Sequence, residues 1–103
     1  MGFEELKRQS KDQLAKRIRT ASKHTENVII TIHVKDQMKK RKVPVSMVYE
    51  CLRLGQMIRE PEENFKFGTL ECRMERYCAG CNCTVIVALN DANPNLICVT
   101  VWV

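Results

Sequence analysis

Apolar positions along the chain change period several times, and each change marks an element. Residues 3–22 carry apolar side chains at Phe3, Leu6, Leu14, Ile18 and Ala21. Their spacing predicts a helix with a thin apolar stripe, whose other faces are filled by Lys7, Arg8, Lys11, Lys16, Arg17 and Arg19. Ser22 to Asn27 has no apolar period and reads as a loop. Val28-Ile29-Ile30-Thr31-Ile32 is a β-branched run, apolar on both faces, which predicts a strand covered on both sides. His33 is expected to open the next element, a helix with Val34 and Met38 on one face and His33, Gln37 and Arg41 along a polar ridge.

Val43-Pro44 breaks that helix, because proline lacks the amide proton and restricts the residue before it. Pro44 suits the first turn of a second helix, with Val45, Val48 and Leu52 as its buried stripe, widened by Met47, Cys51 and Leu54, and with Gly55 as its C-terminal cap. The rest alternates with a period of two. Gln56 to Arg59 reads as a short extended piece and Glu60 to Asn64 as a polar connection. Phe65 to Tyr77 reads as a long strand, with Arg73 and Tyr77 on one face and Arg76 on the other. Ala79-Gly80 predicts a two-residue hairpin turn, Cys83 to Leu89 an apolar strand, Asn90 to Asn95 a turn, and Leu96 to Val103 a final strand. The expected order is α-β-α-α-β-β-β-β, an α+β fold with a mainly antiparallel sheet packed against helices.

Composition bounds this picture. A chain of 103 residues, 45% hydrophobic, supports one core and one domain. The net charge is +5, but residues 1–42 hold twelve Lys/Arg against five Asp/Glu, a balance of +7, and residues 43–103 hold five against seven, a balance of −2. A basic first half points to a polyanionic partner, with nucleic acid favoured over a membrane surface; an ordinary solvated basic helix is the plainer reading. No stretch approaches a membrane span, and the first residues, MGFEELKRQS, lack the apolar core of an export signal. A cytoplasmic protein with reduced thiols is expected.

Six cysteines are present, three of them as Cys78-x-x-Cys81-x-Cys83 at the predicted hairpin. Three readings stay open: half of a zinc knuckle, a redox-labile thiol pair, or plain apolar strand cysteines. A second pair at similar spacing is missing, since Cys51, Cys72 and Cys98 stand alone, so no cofactor is expected apart from that candidate for zinc.

The stretch x-Thr31-x-His33, a basic break, a helix ending Leu52-x-x-Gly55 and an Ile58-x-Glu60 piece, together with Met38 and Arg41, resembles an uncharacterised bacterial domain family related to the RelE/ParE and BrnT-like toxins. The resemblance covers residues 28–103, a RelE-like core, with residues 1–24 as an added N-terminal helix. It implies a toxin-like, metal-independent endoribonuclease of a toxin–antitoxin system, acting on mRNA and held in check by a cognate antitoxin. Cleaving RNA without a metal needs an acid, a base and cations where charge builds on the phosphorane. His33 can serve as acid or base, Arg41 and Arg73 can hold phosphate, and Tyr77 can stack on a base or give a proton, so these four are the candidate catalytic residues. Lys39, Lys40, Lys42, Arg76 and Arg17 are candidates for binding the nucleic acid. Competing readings make His33 a helix-terminal residue bonded to a neighbouring carbonyl or carboxylate, and Arg73 an ion-pair partner of Glu71 or Glu75. Thr84, Thr100 and Trp102 stand where many of these toxins carry polar or basic groups, which leaves a second function open: a non-catalytic binding or regulatory module with a protein or nucleic-acid partner, encoded on a mobile element.

Overall fold

A computed structural model describes residues 4–78, 80–91 and 93–103. Two helices come first, α1 (Glu4–Lys7) and α2 (Lys11–Ser22), where the apolar period had predicted one. The break lies at Ser10, whose side chain accepts from the Gln13 amide at 3.1 Å while the Gln13 side chain accepts from the Ser10 amide at 2.8 Å. This reciprocal cap satisfies two donors that a helix start otherwise leaves open. Leu14, Ala15, Ile18 and Ser22 are the buried face of α2.

A short 3-10 turn (Thr25–Asn27) leads into β1 (Val28–Ile30), which is two residues shorter than its β-branched run. Thr31 ends it by capping the next helix: its hydroxyl accepts from the Val34 amide at 3.3 Å and donates to the Cys98 carbonyl at 3.1 Å. The strand is not covered on both faces, for Ile29 is 40% exposed, and Ile32, now helical, is 79% exposed. Helix α3 (Ile32–Arg41) ends in Lys42 at φ 55°, and α4 (Val45–Leu54) follows with Pro44 at its N-cap. Val48, Cys51 and Leu52 are the buried stripe of α4, whereas Val45 and Leu54 face solvent.

Gly55 is required for a reason other than a left-handed cap, since its φ is −75°. A Cβ there would lie 2.3 Å from the Cys51 carbonyl oxygen and 3.0 Å from that of Glu75. The chain thus passes hard against the sheet, and Gln56 and Glu75 exchange two backbone hydrogen bonds of 2.9 Å. The expected strand at Gln56–Arg59 is only this single bridge. Its place in the order is taken by β2 (Glu62–Asn64), inside the predicted connection, and Phe65 to Gly68 is a turn rather than the start of the long strand.

Strands β3 (Thr69–Cys78), β4 (Cys81–Asn90) and β5 (Asn93–Trp102) complete a mixed five-stranded sheet in the order β1-β5-β4-β3-β2, antiparallel except where β1 pairs with β5. Cys78 pairs with Cys81 across the first hairpin, and Gly80 at φ 81° supplies a backbone that a side chain would strain. Ala79 lies outside the described residues. The predicted Asn90–Asn95 turn is shorter than expected, because β4 runs to Asn90 and β5 starts at Asn93. Among the described residues β1 pairs only with Leu96 to Cys98, so the start of β5, where Pro94 lies, has no strand partner on that side.

One sheet face holds the core. Leu70, Cys72 and Met74, then Cys83, Val85, Val87 and Leu89, then Leu96, Cys98 and Val101 are buried beneath the helices, with α4 on β3 and β4 and α2 on β5. The described chain is thus α+β, with four helices and a mixed five-stranded sheet, α2 and α4 packed on one face of it. No described helix is long and apolar enough to cross a membrane.

Candidate nucleic-acid interface

The opposite face of the sheet is open. Register aligns three rows across β3, β4 and β5: Glu75, Thr84 and Trp102; Arg73, Ile86 and Thr100; Glu71, Ala88 and Ile97. Thr84 and Ala88, on the central strand, are small and nearly buried between taller neighbours, so the face is troughed at these two positions of β4, on either side of Ile86. Part of the trough is an open groove of about 670 Å³ lined by Phe67, Thr69, Ala88, Ile97 and Val99.

Among the described residues Arg73 is in no ion pair with Glu71 or Glu75, the competing reading of that side chain. Its guanidinium carbon lies 4.9 Å from the centre of the Trp102 ring, so the side chain reaches across β4 to stack on a residue of β5. Glu71 accepts instead from the Asn64 side-chain Nδ2 at 3.1 Å. Tyr77 shares the face of Arg73 and is 68% exposed. The face therefore presents a cation on an indole, a free-standing phenol ring and two carboxylates.

Trp102 is the residue that sequence reasoning missed here. Strict alternation from Cys98 puts Trp102 on the buried side, but the register slips between Ile86 and Val87, making Val99 an extra residue in β5. This bulge turns Thr100 and Trp102 outward and Val101 into the core.

Helix α3 continues along β5 where β1 stops. Gln37 accepts from the Val101 amide at 2.9 Å, and Arg41 donates through Nη1 to the Val101 carbonyl. Side chains of α3 thus stand in for a neighbouring strand and close an otherwise bare sheet edge. His33, in the first turn of α3, is exposed. Among the described residues no hydrogen bond or ion pair joins His33, Arg41, Arg73 and Tyr77. Arg73 and Tyr77 come together on β3, while His33 and Arg41 lie beyond β5, which is itself about 10 Å from β3 at the usual strand spacing.

The binding candidates also divide. Lys39, Lys40 and Lys42 are exposed at the end of α3. Arg17, on α2, is half-buried, and its charge acts to lower the Cys72 thiol. Arg76 lies on the helix-covered side of β3 opposite Cys83, with its Nε buried and without a hydrogen-bond partner.

Of the cysteine triplet, Cys83 is fully buried and Cys81 half-buried, and the Cys78 side chain lies outside the described residues. Cys51 packs on the same strand and donates to the Met74 and Cys83 carbonyls at 3.3 and 3.4 Å. Its thiol holds Cys83 below the ordinary thiol range, against burial and the Glu50 charge. Among the described residues no three His, Cys, Asp or Glu side chains are grouped to hold a metal. Buried in the core, the Cys72 and Cys98 thiols are pushed up to about 12.

Fold and site together define a small α+β protein with one sheet face packed and the other open, charged and aromatic. Comparison with protein-family models, with curated proteins and with solved structures finds no match to this chain.

Proposed function

We propose that this protein binds single-stranded RNA on the open sheet face, as a toxin-like module of a toxin–antitoxin pair. The observation that carries the reading is the stack of Arg73 on Trp102, with Tyr77 exposed on the same face. A guanidinium held over an indole keeps its outer donors for phosphate, and exposed rings offer surfaces to unpaired bases. Lys39, Lys40 and Lys42 add a cationic ridge beside β5 that would follow the RNA backbone. Such a site suits mRNA in its unpaired stretches.

A second reading adds catalysis, making the protein a metal-independent endoribonuclease neutralised by its antitoxin. Exposure of His33 supports it, because an imidazole open to solvent can exchange protons with a bound strand. The bond from Arg41 to Val101 favours binding without cleavage, since that guanidinium is occupied at the sheet edge.

Purified protein is expected to retain a single-stranded oligoribonucleotide in a gel-shift assay, with affinity falling as salt rises, and Arg73→Ala with Trp102→Ala should weaken it at least tenfold. Unchanged affinity in that double variant would sink the binding reading. Cleavage of the RNA in EDTA, abolished by His33→Ala, together with growth arrest on induced expression, establishes the catalytic reading; intact RNA and normal growth remove it.

A further inference from the structure

Beside the sheet face lies a second recess, at the edge of β3 just past the Gln56 bridge. It has a volume of about 420 Å³, a size suited to a small ligand, and is lined by Gln56, Glu75, Arg76, Tyr77 and Asn82 together with the exposed apolar side chains of Leu54 and Ile58. Three features set it apart. Arg76 lines the recess without a hydrogen-bond or ion-pair partner among the described residues, and because its Nε is sealed from solvent the guanidinium can meet a ligand acceptor only through its terminal amino groups. Among the described residues neither Glu75 nor Arg76 is in an ion pair, so both charges are available. The backbone edge is also open: Glu75 bonds Gln56 through both its amide and its carbonyl, so by ladder alternation the amide and carbonyl of Tyr77 point to the same side, beyond the last partner β3 has there.

We infer that this recess is a base-recognition pocket for guanine in single-stranded RNA, an inference that rests on the RNA-binding reading above. Glu75 decides the base. A carboxylate only accepts, and guanine alone presents two adjacent donors, N1–H and the N2 amino group, on its Watson–Crick edge. Adenine and cytosine set a ring-nitrogen lone pair next to their amino group, and uracil flanks its single N–H with two carbonyls, so each would place a lone pair against Glu75. Guanine O6 and N7 are acceptors, matched to the unpaired Arg76 guanidinium and to the amides of Asn82 and Gln56. Tyr77, 68% exposed at the mouth, provides the stacking surface. Strand β3 then serves both sites: Arg73 holds the backbone on the open face while the Glu75–Tyr77 segment reads the neighbouring base at the edge.

The test is a titration of the full chain with each of the four ribonucleoside 5′-monophosphates, followed by amide chemical shifts at Gln56, Tyr77 and Asn82. The guanosine nucleotide is expected to bind at least about tenfold more tightly than the other three. Glu75→Gln, whose amide sets a donor against guanine, should reduce that preference to within about threefold while leaving the melting temperature unchanged, and Arg76→Met should weaken the guanosine nucleotide most. No binding, equal binding of all four, or a guanine preference that survives Glu75→Gln overturns the assignment. Base-indifferent RNA binding removes the pocket and leaves the RNA reading standing. Selective binding of the guanosine nucleotide by a protein that ignores single-stranded RNA keeps a nucleotide site and removes that reading.

Discussion

Arg41 shows how one side chain can be legible in position and not in role. Its spacing from His33 put it on a polar ridge of α3, and that ridge exists, yet what the ridge meets is the bare edge of β5. Gln37 and Arg41 occupy the amide and the carbonyl of Val101, and without them both groups would lie at an unpaired edge. Arg41→Ala is therefore expected to cost about 1–2 kcal/mol of stability, the usual range for a charged hydrogen bond to a carbonyl in a partly exposed place. Gln37→Ala should cost a similar amount, and the pair together should cost more than either alone. Urea denaturation reads both. If Arg41→Ala leaves the midpoint in place and abolishes an RNA-directed activity, the residue acts on substrate instead of on the sheet edge. Arg73 carries the opposite lesson: alternation gave its face correctly, but its partner Trp102 was hidden because the Val99 bulge reverses the parity of β5. A bulge of one residue leaves no mark in a run such as Cys98-Val99-Thr100-Val101-Trp102, where nearly every side chain suits a strand.

Among the elements, those with a strong period or a hard stop could be read directly. Helix α3 before the Val43-Pro44 break, α4 up to Gly55 and the two long hairpin strands β3 and β4 follow from apolar spacing and turn residues. Capping was the weaker signal, and boundaries moved wherever a side chain took over a backbone partner. Ser10 split the first helix, and Thr31 ended β1 by drawing Ile32 into α3. Strand β2 was invisible for another reason: Glu62-Glu63-Asn64 has no strand propensity and pairs only because β3 offers it an edge. Gly55 was read as a stop, and it is one, but the physical cause is the approach of two carbonyl oxygens rather than a left-handed backbone. That difference is testable. Gly55→Ala must move either the last turn of α4 or β3, because the nearest contact at 2.3 Å is backbone and has no rotamer to yield. A loss of about 3 kcal/mol is expected, at the upper end of ordinary overpacking. An asparagine at this site, which would serve a left-handed cap, should be no better tolerated than alanine, and equal stability of Gly55→Asn and the wild type in thermal unfolding would refute the steric account.

For the whole molecule, the division between a packed and an open sheet face also governs how stability depends on pH. Cys72 and Cys98 lie in the packed layer, and burial pushes both thiols up to about 12 from an ordinary 9.0, with Glu71 adding to the rise at Cys72 and Arg17 opposing it. In the unfolded chain both would lose their protons near 9. The native state therefore binds more protons than the unfolded state between about pH 9 and 12, and the sign follows: the contribution is fully present below pH 9 and is lost as pH rises toward 12. Each thiol removes up to about 1.4 kcal/mol per pH unit in that window. Every other ionisable group is common to wild type and variant, so the difference between their curves isolates these two thiols. A Cys72→Ala, Cys98→Ala protein is expected to be less stable at pH 7.5, because two buried side chains have been trimmed, and yet to lose less stability than the wild type between pH 8.5 and 10.5. Urea midpoints at four pH values give both slopes. Parallel slopes would mean that these thiols ionise as readily in the native state as in the unfolded one, and the layer beneath α2 and α4 would then have to be open to water.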